Sequence, residues 1–382
     1  MTSAVTLSCT KAGQSAKKVV HKLISLASLG LCAVSTFAQS QAADIVRFDP
    51  ALDSIISRSA RLDVVKSGFE FTEGATWIVS GGVGRLYFTD IVANKIFSYT
   101  PKTGSVQVFA DRAGYKGDFD GIAVMSVGSV RDNGFDPKDP RYKLYAMIGP
   151  DGLGVDREGR LLVCTFAGRS VVRYNKDHSI TMLADRWEGK RFDGPNDIAV
   201  RKDDSIYFTD MVGGMRGQDK DPSREMPSMG IYRIKDGKVT RILDNLAWAN
   251  GLAFSLDEKW MYANNTKVRN DISRYRVLPD GTVDPHGEVI ADMNVLQKEK
   301  NLGEGKGNGD GLRVDSRGNI WCAGPGGIWI FSAEGKPFGL IRTPEIVANF
   351  NFGDDDLKTL YLNGRTTLYR MRVEVEGRPT GK

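Results

Sequence analysis

At six places along the chain an acidic or amide residue opens a short apolar run. They are Glu73 (EGATW), Asp151 (DGLGVD), Asn196 (NDIAV), Asn250 (NGLAF), Asp310 (DGLRVD) and Asn349 (NFNFG). Taken singly, an Asp-Gly or Asn-Gly pair is an ordinary turn dipeptide. Recurring at equivalent positions, these residues describe a ring of carboxylate and amide oxygens. Carboxylates crowded together away from water repel one another and resist ionisation unless a cation neutralises them. Oxygen donors suit calcium or magnesium, whereas zinc and copper sites lean on His and Cys. Beyond residue 43 the only histidines are His178 and His286, both in polar turns. The ring therefore predicts one hard divalent cation, calcium first, with magnesium, manganese or zinc as substitutes.

Such a ring must be positioned by a repeat. A second motif follows each opening: RLYFTD (85–90), RLLVCT (160–165), SIYFTD (205–210), WMYANN (260–265), NIWCAG (319–324) and TLYLNG (359–364). Turn signals such as DREG, KDDS, LDEK and DSRG separate the two. A third alternating run comes next (VVRYN, GIYRI, GIWIF), then often a fourth (ITMLAD, VTRILD). Short strands punctuated by polar turns and repeated six times predict four-stranded blades. The expected fold is all-β, a six-bladed β-propeller with a central metal site, in which the first strand of each blade lines the axis. The run RLDVVK (61–66) precedes the first repeat, and TLYRMRVE (367–374) follows the last. An N-terminal strand is thus expected to complete the final blade and remove an open sheet edge. The interval from Glu73 to Asp151 is far longer than the others. Its excess, residues 112–148, is read as a loop and hairpin over one face, a candidate lid.

With 41% hydrophobic and 26% charged residues, the composition is that of an ordinary globular protein. A net charge of +5, without a basic run interleaved with aromatics, gives no ground for a nucleic-acid partner. Residues 1–43 read differently. Lys11, Lys17, Lys18 and Lys22 precede the apolar run LISLASLGLCAVSTFA (23–38), and Thr36/Ala38 or Ser40/Ala42 supply small residues for cleavage. This predicts a secretory signal peptide, with 44–382 as a single propeller domain that is periplasmic or secreted and free of the membrane after cleavage. The apolar run falls short of the ~20 residues a helical span needs. Leu31 before Cys32 is too large for a lipoprotein signal. Cys164 and Cys322 then remain, both in strand-like runs and read as buried free thiols, although export permits a disulfide.

Three segments carry a likeness to known proteins: LADRWEGKRFDGPNDIAVRKDDSIYFTD (183–210), ANGLAFSLDEKWMYANN (249–265) and GDGLRVDSRGNIWCAGPGGIWIFSAEGKPFGLI (309–341). On these residues the chain resembles the gluconolactonase/regucalcin (senescence marker protein) family, in its bacterial exported branch, over roughly residues 66–375. The resemblance implies a calcium-type site made by a Glu, two Asn and an Asp. They map onto Glu73 in TEGATW, Asn196 in GPNDI, Asn250 in ANGLA and Asp310 in GDGLR. Four protein ligands leave about two to four positions on calcium for water and substrate. Asp151 and Asn349 then serve as channel lining or substrate contacts, and Asp197 orients Asn196.

The resemblance also implies hydrolysis of sugar lactones, with three departures from the family pattern. Glu73-Gly74-Ala75 replaces Glu-Gly-Pro, Gly194 stands where animal members place an Arg, and Phe166 stands where many bacterial members place a His. Without that Arg and His, a less polar lactone or ester is the expected substrate. The expected chemistry is metal-dependent lactone hydrolysis, the cation polarising the carbonyl and activating water. With no ring histidine, a carboxylate must act as base: Asp310 first, then Asp151 and Asp197. Two further readings use the same ring. One is hydrolysis of aryl or organophosphate-type esters, and the other is a non-catalytic ligand-binding propeller with a structural metal.

Overall fold

Each repeat folds as an antiparallel sheet whose first four strands follow chain order from the axis outward, the sixth blade borrowing its fourth strand from the N-terminal side. The structure, a computed structural model, describes residues 40–117, 127–132, 136–267 and 269–379. The first blade runs from Thr72–Ser80 through Val83–Asp90 and Lys95–Thr100 to Ser105–Asp111. The axial strands of the next five are Leu153–Val155, Pro195–Val200, Ala249–Phe254, Leu312–Val314 and Val347–Gly353. Sequence pattern explains the layering. The axial strands Ala249–Phe254 and Val347–Gly353 are buried on both faces and carry no charged residue, their apolar and small residues interrupted only by the amides Asn250, Asn349 and Asn351. The outer strand Ile180–Ala184 alternates exposed and covered residues instead. The turns between first and second strands are closed by their own Asp side chains. Asp156 accepts from the N–H groups of Glu158 and Arg160 at 3.0 and 2.9 Å, and Asp315 from those of Arg317 and Asn319 at 2.9 Å each.

The apolar core is divided into six wedges, one between each pair of neighbouring blades. Aromatic pairs mark several of them. Trp77 stacks on Tyr361 across the first and sixth blades with centroids 6.0 Å apart, and Trp321 meets Phe352 edge-on at 5.3 Å across the fifth and sixth. No blade can bury its faces without both neighbours, so the ring must close. Closure is made by Arg61–Ser67, which pairs antiparallel with Thr367–Arg372 and becomes the fourth strand of the sixth blade. Ser40–Ala42 adds a fifth strand to that blade, and Asp44–Arg47 does the same for the fifth blade. The N-terminal segment thus covers two sheet edges. Residues 1–39 of the expected signal peptide lie outside the described residues. Cleavage after Ala38 keeps the strand Ser40–Ala42 in the mature chain, whereas cleavage after Ala42 removes it. Among the described residues no helix is long and apolar enough to cross a membrane.

The insertion at 112–148 contains a two-stranded hairpin, Val130–Asp132 against Leu144–Ala146. One short helix, Met293–Glu299, precedes the fifth blade. Asp292 caps it by accepting the N–H groups of Asn294 and Val295 at 2.9 and 3.1 Å.

Closure through Leu62, only 2% exposed in the wedge between fifth and sixth blades, gives a direct expectation. Leu62→Ala should cost about 2–5 kcal/mol by denaturant unfolding. Val79→Ala, at a position 62% exposed on the first blade, should cost no more than about 0.5 kcal/mol. Equal effects would show that the N-terminal strand does not close the ring.

Candidate active site at the propeller axis

The ring residues meet because neighbouring blades approach very closely there. A Cβ placed on Gly74 would lie 2.0 Å from the Asp151 carbonyl oxygen, and one on Gly251 would lie 2.3 Å from that of Asp310. Gly152 abuts Asn196, and Gly311 abuts Asn349, in the same way. The glycine after a ring residue is therefore the seat of the next blade's ring residue. A second set of contacts fixes the same backbone. Asn363 Nδ2 donates to the Glu73 carbonyl at 2.6 Å, Thr89 Oγ1 to that of Asp151 at 3.1 Å, and Asn264 Nδ2 to that of Asp310. These donors are the penultimate residues of TLYLNG, RLYFTD and WMYANN. Cys164 holds the same place in RLLVCT, its sulfur 3.9 Å from the Asp197 carbonyl. Both Cys164 and Cys322 are buried free thiols. The last residue of the motif anchors the incoming loop. Asp90 accepts from Glu70 and Phe71 N–H at 2.8 and 3.1 Å, and Asp210 from Asp193 and Gly194 N–H at 3.0 and 2.7 Å. The repeat motif, read from sequence as strand alone, carries the braces of the site in its final two residues.

Three carboxyls crowd at the axis. Glu73 is pushed up to about 7 by burial first and then by the Asp197 carboxylate, against the opposing Gly74 N–H and the Asp151 and Asn349 side chains. Asp151 and Asp310 are held well above the ordinary carboxylate range, again by burial first and by Glu73 second. Amides interleave with them. Asn196 Nδ2 donates to Asp151 at 2.8 Å, Asn349 Nδ2 to both Glu73 oxygens at 3.2 Å, and Asn250 sits beside Asp310. Among the described residues no group of three or more His, Cys, Asp or Glu side chains is arranged to hold a metal ion. The donor chemistry at the axis is of another kind, two carboxylates and two amide oxygens, and it fits a hard divalent cation.

One cation is built in. Arg313 reaches along the channel, its guanidinium 3.3 Å from the Asp197 carboxylate, donating to Asn349 Oδ1 at 3.0 Å and to the Ala75 carbonyl at 3.3 Å. Aligning the axial strands shows why it fits. Three residues after the first five ring positions stand Thr76, Gly154, Ala199, Ala253 and Arg313, so four small residues make room for a single long side chain, while Phe352 at the sixth position packs in the wedge against Trp321. Two expectations change here. Asp197 is engaged by Arg313 and the Ile198 N–H rather than by the Asn196 side chain. Asn349 is channel lining and not part of the cavity wall: it is 1% exposed, its oxygen accepts from Arg313 and Phe350 N–H, and its amide braces Glu73.

Glu73, Asp151, Asn196, Asn250 and Asp310 form the floor of a cavity of about 240 Å³. Its walls are apolar, with Phe71, Ile91, Phe166, Met211 and Trp248. The insertion hairpin closes one side through Arg131, Tyr145 and Met147. Gly194 has no space for an arginine, since a Cβ there would meet Met211 O at 2.8 Å and Gly214 Cα at 2.9 Å. Phe166 takes the wall position with a φ of 46°. The cavity is nevertheless supplied with cations from elsewhere: Arg131, Lys267 and Arg365 line its mouth. These three lie outside the repeat motifs, so the sequence pattern offered no signal for them.

Arg313 gives a quantitative expectation. Arg313→Met leaves Asp197, whose side chain is 2% exposed, as a buried carboxylate without its partner. Unfolding free energy should fall by about 3–5 kcal/mol, and Asp197→Asn in the same chain should restore much of the loss. Denaturant unfolding of the single and double variants measures this. A double variant no more stable than Arg313→Met alone would show that the pair is not what Arg313 contributes.

A family model described as the SMP-30/Gluconolactonase/LRE-like region matches residues 71–365. The gluconolactonase of Zymomonas mobilis subsp. mobilis is 28% identical over 338 residues, covering 87% of this chain and 87% of that protein. Lactonase drp35 of Staphylococcus epidermidis is 26% identical over 288 residues, covering 72% of this chain and 69% of that one. Among solved structures, a gluconolactonase from Xanthomonas campestris superposes with a TM-score of 0.69 at 24% identity, over 89% of this chain and 99% of that one. A calcium-binding regucalcin from Agrobacterium tumefaciens does so with a TM-score of 0.59 at 18% identity, over 83% and 95%. Both superpositions speak to the fold. The family match takes in all six ring residues, and the chain belongs to the SMP-30/gluconolactonase/LRE-like family.

Proposed function

We propose that this protein is a divalent-cation-dependent lactonase, exported to the periplasm or beyond. Export rests on the leader pattern of residues 1–43. The hydrolytic reading rests on family membership and on relatives that are a gluconolactonase and a lactonase. The observation that carries it is the crowding of three carboxyls, with amide oxygens among them, at the floor of a cavity open to solvent. Glu73, Asn196, Asn250 and Asp310 would hold the cation, calcium in the first instance. When bound, it supplies Lewis-acid polarisation of an ester carbonyl and a lowered pKa for coordinated water.

The chain's own residues do the rest. Asp310 lines the cavity and is partly exposed, and its carboxylate would accept the proton of the attacking water. Asp151 faces the same space, with Asn196 holding one oxygen at 2.8 Å, and is the alternative base. Phe71, Phe166, Met211 and Trp248 present apolar surface beside the floor, which lowers the local dielectric and strengthens charge interactions there. Asn349 and Asn363 keep Glu73 in place. The same apolar wall suits an aryl ester, which is the second substrate class to test.

Purified mature protein assayed on γ- and δ-lactones and aryl esters should lose activity to a chelator and regain it with added calcium. Glu73→Gln and Asp310→Asn should each lower kcat by about 10²–10⁴-fold. Hydrolysis that persists through chelation and through both substitutions would rule the mechanism out.

A further inference from the structure

The cavity is polarised from floor to mouth. Carboxyls stand at the axis, and three cationic side chains stand at the rim, brought there by three different elements. Arg131 comes from the insertion hairpin Val130–Asp132, Lys267 follows the strand Trp260–Asn265 of the fourth blade, and Arg365 follows Thr359–Gly364 of the sixth. Among the described residues none of the three forms a salt bridge. Their acidic neighbours are Asp132, which acts on Arg131 and Arg365, and Asp219, which acts on Lys267.

Two of the three are held in place by the wall rather than by opposite charge. Arg365 lies over the rings of Phe71 and Tyr145, 5.5 and 5.2 Å from their centroids, and donates to the Asp132 carbonyl at 2.6 Å. Lys267 Nζ is 3.8 Å from the centre of the Trp248 ring and 3.4 Å from Gln218 Oε1. Burial and the nearby Arg131 lower Lys267 to about 8, against Asp219, so it stays protonated at neutral pH while sitting close to a like charge. Two carboxylates among three cations leave this part of the cavity net positive, and Arg131 and Lys267 repel one another, a setting that an anionic group of a ligand would relieve.

We propose that this mouth selects lactones carrying a carboxylate remote from the acyl carbon. The inference rests on the lactonase reading and narrows its substrate class. It also reverses the expectation of a less polar substrate drawn from Gly194 and Phe166, because the cationic recognition has moved to the insertion and the rim. A cavity of about 240 Å³ falls below the ~300–1,000 Å³ typical of drug-sized ligands, so a single small ring with short substituents fits. Its carbonyl lies at the carboxylate floor and its anionic group at Arg131 and Lys267. Water adds to the acyl carbon, the ring C–O bond breaks, and the freed alkoxide takes up a proton, so the product is a hydroxy-dicarboxylate. Two negative ends would then be held by opposite ends of one cavity.

The test compares glucono-δ-lactone with the δ-lactone whose terminal hydroxymethyl group is a carboxylate, using the mature calcium-loaded protein. The carboxylate form should be preferred at least tenfold in kcat/KM. Arg131→Gln with Lys267→Gln should erase at least tenfold of that preference, mainly through KM. Raising salt to about 1 M, where the Debye length is about 3 Å, should do the same to the unsubstituted protein. Calorimetric binding of the two open-chain acids repeats the comparison without turnover. Equal handling of the two lactones and equal affinity for the two acids would overturn the proposal. If neither lactone is hydrolysed but the dicarboxylate still binds preferentially through Arg131 and Lys267, the lactonase reading fails and the anion-selective mouth stands.

Discussion

Everything at the active end depends on how closely six axial strands can be brought together. The residue after Glu73, Asp151, Asn250 or Asp310 has no room for a side chain, because the next blade's backbone or ring side chain occupies the space. That spacing presses charged groups together that would otherwise stay apart in water. It is maintained from behind by Asn363, Thr89 and Asn264, each reaching across a blade boundary to a ring residue's carbonyl. It is maintained at larger scale by six apolar wedges that require a closed circle, which the strand Arg61–Ser67 completes. Packing far from the axis thus determines the electrostatics on it.

The electrostatics in turn assign roles to residues of the same type. Asn349 has both ends of its amide occupied by protein, and so braces Glu73. Asn196 donates its NH₂ group to Asp151, and among the described residues no donor meets its oxygen. Asp197 is compensated by Arg313, while among the described residues Glu73, Asp151 and Asp310 have no salt-bridge partner. A single divalent ion held by Glu73 and Asp310 would balance two of those three charges. The arrangement therefore resembles a column of alternating charge: Arg313 below, carboxyls at the floor, and Arg131 with Lys267 at the mouth.

Much of this was legible in the sequence because it repeats. The six openings and six second motifs define blade number, strand order and the ring, and the flanking run at 61–66 announces closure. The alignment of axial strands even exposes Arg313 as the one charged residue among Thr76, Gly154, Ala199 and Ala253. What remained hidden lies where periodicity stops. Tyr145 and Arg131 sit on an insertion with no counterpart in other blades, and Lys267 and Arg365 fall in loops after strands, where spacing says nothing about direction. The part played by Asp197 stays hidden for a related reason: adjacency to Asn196 in the chain does not mean contact, since the register shifts between Pro195 and Ile198, the Asn196 amide turns to Asp151 and the Asp197 carboxylate to Arg313.

On the proposed function the ring holds one divalent cation. Titrating calcium into chelator-stripped mature protein by isothermal calorimetry addresses it most directly. One calcium per chain is expected, with affinity sharply weakened by Glu73→Gln and by Asp310→Asn. A protein that binds no calcium, magnesium or manganese, or one whose binding is indifferent to both substitutions, would contradict it.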